Sequence, residues 1–366
     1  MTRTTNRMFG WAAGIGAAAM VLGLATAPAQ AMTAEEILNY KGADREHMLL
    51  KGARKEGRMV IYSSLIVNQM LRPLTEAFKK KYPFLEVKYW RGSSGKTFRK
   101  VTAEMRAKSL QADVIEGSGI TGRIVKAKIG QPFYSPELAA YPKKYRDPQG
   151  IWATTRFRYI GGAYNTKKVA AAEVPKTMED LLNPKWKGKI AWRAGTSSSG
   201  QLITITSLVL AWGDKKADAY LAKLAKQDPV PLHMSNRGVV DRVIEGEYWL
   251  AIGASAHHPV ISARKGASVG PMLLEPVPSL NATISILKGV PRPHAAMLMV
   301  DFILSKEGQT LFQKAGYLPA HPQVPAAKDL QKIVPSIAGK TEFFVSPAAL
   351  LKTTKKSKKL ARKYFK

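Results

Sequence analysis

Two histidines stand side by side at His257-His258, directly after the apolar run Leu250-Ala251-Ile252-Gly253-Ala254-Ser255-Ala256. Tandem imidazoles admit three chemistries: ligation of a borderline metal, proton transfer, or hydrogen bonding to a bound anion. Four other stretches have the composition of anion-binding turns. Tyr62-Ser63-Ser64 and Gly117-Ser118-Gly119 each close an apolar run, whereas Arg91-Gly92-Ser93-Ser94-Gly95-Lys96 and Gly195-Thr196-Ser197-Ser198-Ser199-Gly200 each precede a helical pattern. A Gly/Ser turn at a helix start offers free backbone N–H groups and the positive end of the helix dipole to a phosphate, phosphonate or carboxylate. The same residues also serve as ordinary N-caps. Arg156 and Arg158 occupy alternate positions of an extended segment and so share one face, which meets either a ligand or solvent. Asn236-Arg237 opens a further helix.

The expected site therefore draws Tyr62, Ser63, Ser64, Arg91, Ser93, Ser94 and Ser118 from the first half of the chain. Thr196, Ser197, Ser198, Arg237, His257 and His258 come from the second. Read as the exit of a strand, the two histidines point to opposite sides, so one of them, His257, donates to a solute or simply caps the strand end.

Other chemistries lack support. Neither a P-loop nor a GxGxxG fingerprint is present, and no Ser-His-Asp, metal-hydrolase or paired-carboxylate motif stands out. Asp113 and Glu116 read as strand-end residues. The absence of cysteine excludes disulfides, thiol nucleophiles and Cys-based zinc sites. No catalytic residue and no cofactor is expected, and metal binding is left open.

The elements that must position these residues follow from patterning. With 366 residues, 45% of them hydrophobic, the chain can fill substantial cores. Residues 1–31 read as a signal peptide: Arg3 and Arg7, an apolar stretch, then Ala29-Gln30-Ala31 as a cleavage site. Strand patterns at Arg58 to Ser64, Leu85 to Trp90 and Ala112 to Glu116 alternate with helical patterns at Val67 to Lys81 and Thr97 to Lys108, after a helical opening at Ala34 to Glu56. A long extended stretch, Trp152 to Tyr164, leads to a second α/β unit. That unit has a strand near Ile190, helices Gln201 to Trp212, Lys215 to Lys226 and Arg237 to Glu245, and a strand Tyr248 to Ile252. Ala282 to Leu287 returns as a strand, followed by helices Pro293 to Leu304 and Ser305 to Lys314. The order is that of open α/β layers with ligand loops at strand ends.

A net charge of +31 favours anionic partners. The lysine-rich run Lys352 to Lys366 reads as a solvated tail or frayed helix, with polyanion or surface binding as the alternative.

Several landmarks together resemble the extracellular solute-binding proteins of bacterial ABC importers, in the branch that includes ferric-ion, thiamine, polyamine and phosphonate binders. They are Val60-Ile61-Tyr62-Ser63-Ser64, Ala112-Asp113-Val114-Ile115, Leu182-Asn183-Pro184-Lys185-Trp186-Lys187-Gly188-Lys189-Ile190 and Asp301-Phe302-Ile303-Leu304-Ser305-Lys306-Glu307-Gly308-Gln309. The resemblance implies a type II periplasmic binding protein: two α/β lobes joined by two crossover strands, closing on a small solute and presenting it to an inner-membrane permease. The lobes would comprise residues 32–165 and 166–282, with 283–345 returning to the first and 346–366 as a basic tail. A monomeric, periplasmic protein without nucleic-acid partners is expected.

In ferric-binding members a pair of adjacent tyrosines follows a second-lobe strand, and His257-His258 falls at or within one residue of that pair. Imidazole suits zinc, copper or ferrous iron, whereas ferric iron prefers oxygen donors. The expected solute is therefore anionic, of phosphate-ester, phosphonate or carboxylate type. Ferric or other metal uptake is the rival, and an exported enzyme a more distant one.

Overall fold

The computed structural model describes residues 32–195 and 200–365. The expected signal peptide, together with Thr196, Ser197 and Ser198, lies outside the described residues.

One mixed sheet organises the chain. Its strands run in the order Glu86–Arg91, Arg58–Ser63, Val114–Ser118, Val277–Leu287, Trp152–Asn165, Leu250–Ser255, Ile190–Arg193 and Val230–Leu232, with four short strands off this path. The long strand Trp152–Asn165 belongs to both halves. Its first part pairs antiparallel with Val277–Leu287, from Trp152 opposite Ser285 to Tyr159 opposite Ser279. Its second part pairs antiparallel with Leu250–Ser255, from Ile160 opposite Ser255 to Tyr164 opposite Leu250. Strands Arg58–Ser63 and Val114–Ser118 lie parallel, so their C-terminal ends, and the loops that follow them, open to the same side.

Helices cover each half on both faces, as the near-continuous apolar strands require. In the first half Met59, Ile61, Phe78, Phe302 and Phe312 fill one core, while Val60, Tyr62, Val101 and Ile115 fill another across the sheet. Adjacent residues of strand Arg58–Ser63 thus alternate between two cores. In the second half Trp186, Trp192, Leu208 and Leu221 share a core on one side, and Val239, Val240, Val243 and Ala251 pack on the other.

Most expected elements occur within two residues of their boundaries, and the departures have local causes. The helical opening breaks into Ala34–Asn39 and Arg45–Glu56. Thr33 and Glu36 form a capping box at the first start, and Tyr40 leaves the helix in an extended conformation. The third strand begins at Val114 rather than Ala112, because the Asp113 carboxylate turns inward to accept the Val60 N–H at 2.7 Å.

The largest correction concerns the C-terminus. Residues 347–364 are neither a solvated tail nor a frayed end, but an 18-residue helix, Pro347–Tyr364, whose N-cap Ser346 accepts from the Ala349 N–H at 3.2 Å. Its Leu350, Thr353 and Ser357 recur at helical spacing and are buried, so a lysine-rich sequence still presents one packing face. Ser357 accepts a buried hydrogen bond from Thr206 Oγ1 at 2.8 Å, and Phe365 meets Trp192 edge-on. At its other end Pro347 lies so close to Gly122 that a Cβ there would come within 2.8 Å of the Pro347 carbonyl oxygen. The helix consequently touches both halves of the molecule. Among the described residues, no helix is long and apolar enough to cross a membrane.

Candidate functional site

A cleft of about 930 Å³ runs between the two halves and the C-terminal helix. This is within the size range of small-molecule sites. Eight of the expected site residues line it: Ser64, Arg91, Ser93, Ser94, Ser118, Arg237, His257 and His258.

Two others are directed elsewhere. The Tyr62 side chain lies in the first-half core, where its hydroxyl donates to Glu104 at 2.8 Å and its ring meets Trp90 at 5.3 Å between centroids. Burial, and then the Glu104 carboxylate, push its phenol up. Ser63 is fully buried; its hydroxyl donates to Glu116 Oε2 at 2.6 Å and accepts from the Leu65 N–H at 3.0 Å. Both corrections follow from strand alternation, which sends neighbouring side chains into opposite layers while only the residue after the strand, Ser64, reaches the cleft.

The serines at the cleft are partly engaged in local structure. Ser93 is the N-cap of helix Ser94–Arg106 and accepts from the Lys96 N–H at 3.4 Å. Ser94 donates to the carbonyl of Ser118, tying this helix start to the end of strand Val114–Ser118.

The histidines depart from the expected geometry. Helix His257–Ala263 starts at the pair, since Ala256 already has helical φ and ψ, and both rings line the cleft rather than pointing to opposite sides of a strand. Their centroids are 4.5 Å apart. Burial, then His258, then Arg158 and Arg156 hold His257 far below the usual imidazole range. Burial first, and then Arg158 and Arg237, push His258 down to about 3. Both rings are therefore neutral hydrogen-bonding groups at physiological pH. His258 Nδ1 is buried with no hydrogen-bond partner among the described residues.

Arginine dominates the walls. Arg156 and Arg158 both face the cleft, which settles the direction their spacing left open. Arg156 is only 3% exposed; its Nη2 lies 3.4 Å from Glu116 Oε1, and its guanidinium stands 5.0 Å from the Tyr317 ring centroid. Its Nε and Nη1 are buried with no hydrogen-bond partner among the described residues. Arg158 donates to Ser255 Oγ from Nε at 3.3 Å and Nη2 at 3.1 Å, and burial, then Arg156, draw it down to about 10. Arg237 pairs with Asp241 at 2.9 Å. The described lining holds seven arginines and three lysines, and no aspartate or glutamate. Glu116 lies below the floor, fully buried and holding Arg156 in place.

Tyr317, Arg193, Lys355 and Lys358 also line the cleft but escaped the sequence reading. Tyr317 sits in the Pro-rich stretch after the last expected helix, and its ring lies 5.7 Å from that of His257. A lone aromatic before Leu-Pro carries no signal of such a role. The two lysines were legible only as members of a charged run. Among the described residues, no group of three His, Cys, Asp or Glu side chains is placed to hold a metal.

A type II binding-protein fold with an arginine-lined cleft thus agrees with the similarities to known proteins. The bacterial extracellular solute-binding protein family matches residues 109–359. The chain belongs to that family. Its members are binding proteins that present small ligands to ABC permeases. An uncharacterized Haemophilus influenzae protein is 30% identical over 285 residues, covering 72% of this chain and 78% of that one. Among solved structures, AfuA from Actinobacillus pleuropneumoniae, with fructose-6-phosphate bound, is 24% identical with a TM-score of 0.68, covering 84% of this chain and 98% of its own. Iron-bound HitA from Pseudomonas aeruginosa is 20% identical with a TM-score of 0.72, covering 84% and 99%. One fold thus accommodates both an anionic sugar and a metal in these two proteins, so the choice of ligand rests on the cleft's own residues.

Proposed function

We propose that this protein is the periplasmic solute-binding component of an ABC importer whose cleft closes on a small anionic solute of phosphate-ester, phosphonate or carboxylate type and delivers it to an inner-membrane permease. Residues 1–31 serve as its cleaved export signal, and it works as a monomer. The observation that carries the reading is Arg156, a buried guanidinium with Nε and Nη1 unengaged at the cleft floor. An arginine cannot relieve that by losing its proton, so an anionic acceptor is the natural complement of its two unengaged N–H donors. Arg158 adds charge alongside, and the neutral rings of His257 and His258 add hydrogen bonds without a charge of their own. Ser64 and Ser118 supply hydroxyls from the opposite side.

The ferric alternative meets opposition from the same residues. Ferric iron prefers oxygen donors, and a cleft lined by arginine and lysine repels a trication. Tyr317 is a candidate phenolate, but burial raises its pKa.

Thermal-shift and calorimetric titration of the exported protein against sugar phosphates, phosphonates, carboxylates and ferric citrate tests the reading, since a ligand specific to the native state raises apparent stability. Anions should raise the melting temperature, and Arg158→Ala should abolish the rise. Stoichiometric iron in the purified protein, lost on His257→Ala or His258→Ala, would sink it.

A further inference from the structure

The C-terminal helix carries two populations of lysine. Lys356 and Lys363 meet helix Asp214–Ala225, where they pair with Asp214 at 2.6 Å and Asp218 at 3.0 Å. Lys355 and Lys358 face the cleft instead, and no carboxylate lies within salt-bridge distance of either among the described residues. They are one turn apart on the same face, so they repel each other. Arg123 joins them from the neighbouring helix Thr121–Lys126, also facing the cleft without a carboxylate partner among the described residues. Arg123 and Lys355 are exposed and Lys358 is half-buried, whereas Arg156 is buried, so these three form a second cluster of cations at the cleft mouth, above Arg156 and Arg158 on the floor.

One anionic group cannot serve both clusters. A phosphoryl group offers three acceptor oxygens, which two or three cationic side chains saturate. The floor alone supplies that number. Spacing points the same way: Leu350 shares a core with Ile160, two residues beyond Arg158 on the floor strand. At the helical rise, Lys355 and Lys358 stand about 8 and about 12 Å further along the axis from Leu350, which sets them apart from the helix's contact with the floor strand.

We propose that the solute carries two anionic groups, one held on the floor by Arg156 and Arg158 and the other at the mouth by Lys355, Lys358 and Arg123. The inference rests on the anion-binding reading above and narrows it to doubly anionic small molecules, such as a sugar bisphosphate or a phosphorylated carboxylic acid. The two lysines also couple ligand to the C-terminal helix, which touches both halves of the molecule.

Calorimetric titration of the exported chain with two matched pairs tests this: fructose 6-phosphate against fructose 1,6-bisphosphate, and glycerol 3-phosphate against 3-phosphoglycerate. In at least one pair the two-anion compound should bind about tenfold more tightly or better, and the gap should narrow with added salt. The double variant Lys355→Ala/Lys358→Ala should bring the ratio of affinities within that pair close to one while melting within a few degrees of the parent. Equal affinities within both pairs, or a ratio unchanged in the double variant, overturn the two-anion inference. If single-anion compounds bind in an Arg158-dependent way without such a preference, only this inference fails. If none of the four compounds, nor any anion of the wider screen, binds, the anion-binding reading fails with it.

Discussion

Asp113 and Glu116 lie three residues apart around one strand, and each meets a guanidinium in the interior. Arg292 Nε approaches Asp113 Oδ2 to 2.8 Å, and Arg156 Nη2 approaches Glu116 Oε1 to 3.4 Å. In both pairs some hydrogen-bonding capacity is left over, and its location separates the two. Around Asp113 the surplus is on the acid: Arg292 also donates to the Gln111 carbonyl at 2.6 Å, while Asp113 Oδ1 is buried without a partner. A carboxylate can relieve such a surplus by taking up a proton, and burial does raise Asp113 to about 7, against the lowering influence of Arg292 and the Val60 N–H. Around Glu116 the surplus is on the base. Serine and threonine hydroxyls satisfy the carboxylate, at 2.6 Å from Ser63 and 3.2 Å from Thr155, while Arg156 keeps two buried N–H groups free. Guanidinium has no protonation route out, so one pair is complete as scaffold and the other awaits an acceptor.

The sharpest way to break the comparison is to remove each arginine. Arg292→Ala should destabilise the fold by about 3–5 kcal/mol in urea unfolding, because it strands a buried carboxylate, while anion affinity changes by less than about twofold. The effect should also depend on pH in a definite direction. Asp113's folded pKa is raised above its unfolded value, so its contribution to stability is complete below about pH 4 and is lost as pH rises through about 7. Loss of Arg292 raises that pKa further and extends the loss upward, so the variant should be hurt more at pH 8 than at pH 5. Arg156→Lys should show the opposite balance. An ammonium keeps a charge beside Glu116 but lacks the free Nε and Nη1 donors, so solute affinity should fall about 100-fold, or about 2.7 kcal/mol, with a smaller stability change than Arg156→Ala causes. Equal loss of binding in Arg292→Ala and Arg156→Lys would erase the distinction.

How much of this was legible in the sequence differs between the two pairs. Strand, helix and turn patterning put Asp113 and Glu116 on one strand, although Glu116 sits at its middle rather than its end, and placed Gln201–Trp212 and Pro293–Leu304 as helices, because apolar periodicity over such lengths is local information. The glycine and serine turns at Ser64, Ser93, Ser94 and Ser118 reached the cleft for the same reason: α/β layers put strand-end loops on one side. Pairings were not legible. That Arg292 would meet Asp113, and Tyr317 stack against Arg156, depends on contacts between residues far apart in the chain. Tyr62 and Ser63 show a finer limit, since a one-residue difference along a strand reverses the layer a side chain enters. His257 and His258 were placed correctly along the chain but with the wrong element. Their rings share one wall because a helix turn, not an extended strand end, begins at Ala256. The C-terminal helix was hidden by its own composition: lysines conceal the i, i+3, i+7 row of Leu350, Thr353 and Ser357 that buries it.

An exposed pair on that helix supplies the smallest effect and fixes the lower end of the scale. Lys356 and Asp214 are as close as a good ion pair allows, 2.6 Å, but their side chains are 52% and 64% exposed. If short distance alone gave a charge pair its value, Lys356→Ala would rival Arg292→Ala. Solvation argues otherwise, because water already stabilises both charges when apart and salt screens them when together. Lys356→Ala should therefore cost less than about 1 kcal/mol in urea unfolding, and a double-mutant cycle with Asp214→Ala should return a coupling of about 0.2–1 kcal/mol that shrinks with added salt. Solute affinity should not move, since this face of the helix points away from the cleft. A coupling as large as that of Asp113 with Arg292 would mean that burial is not what separates the interior pairs from the surface, and the contrast between a completed scaffold pair and a waiting one would lose its physical basis.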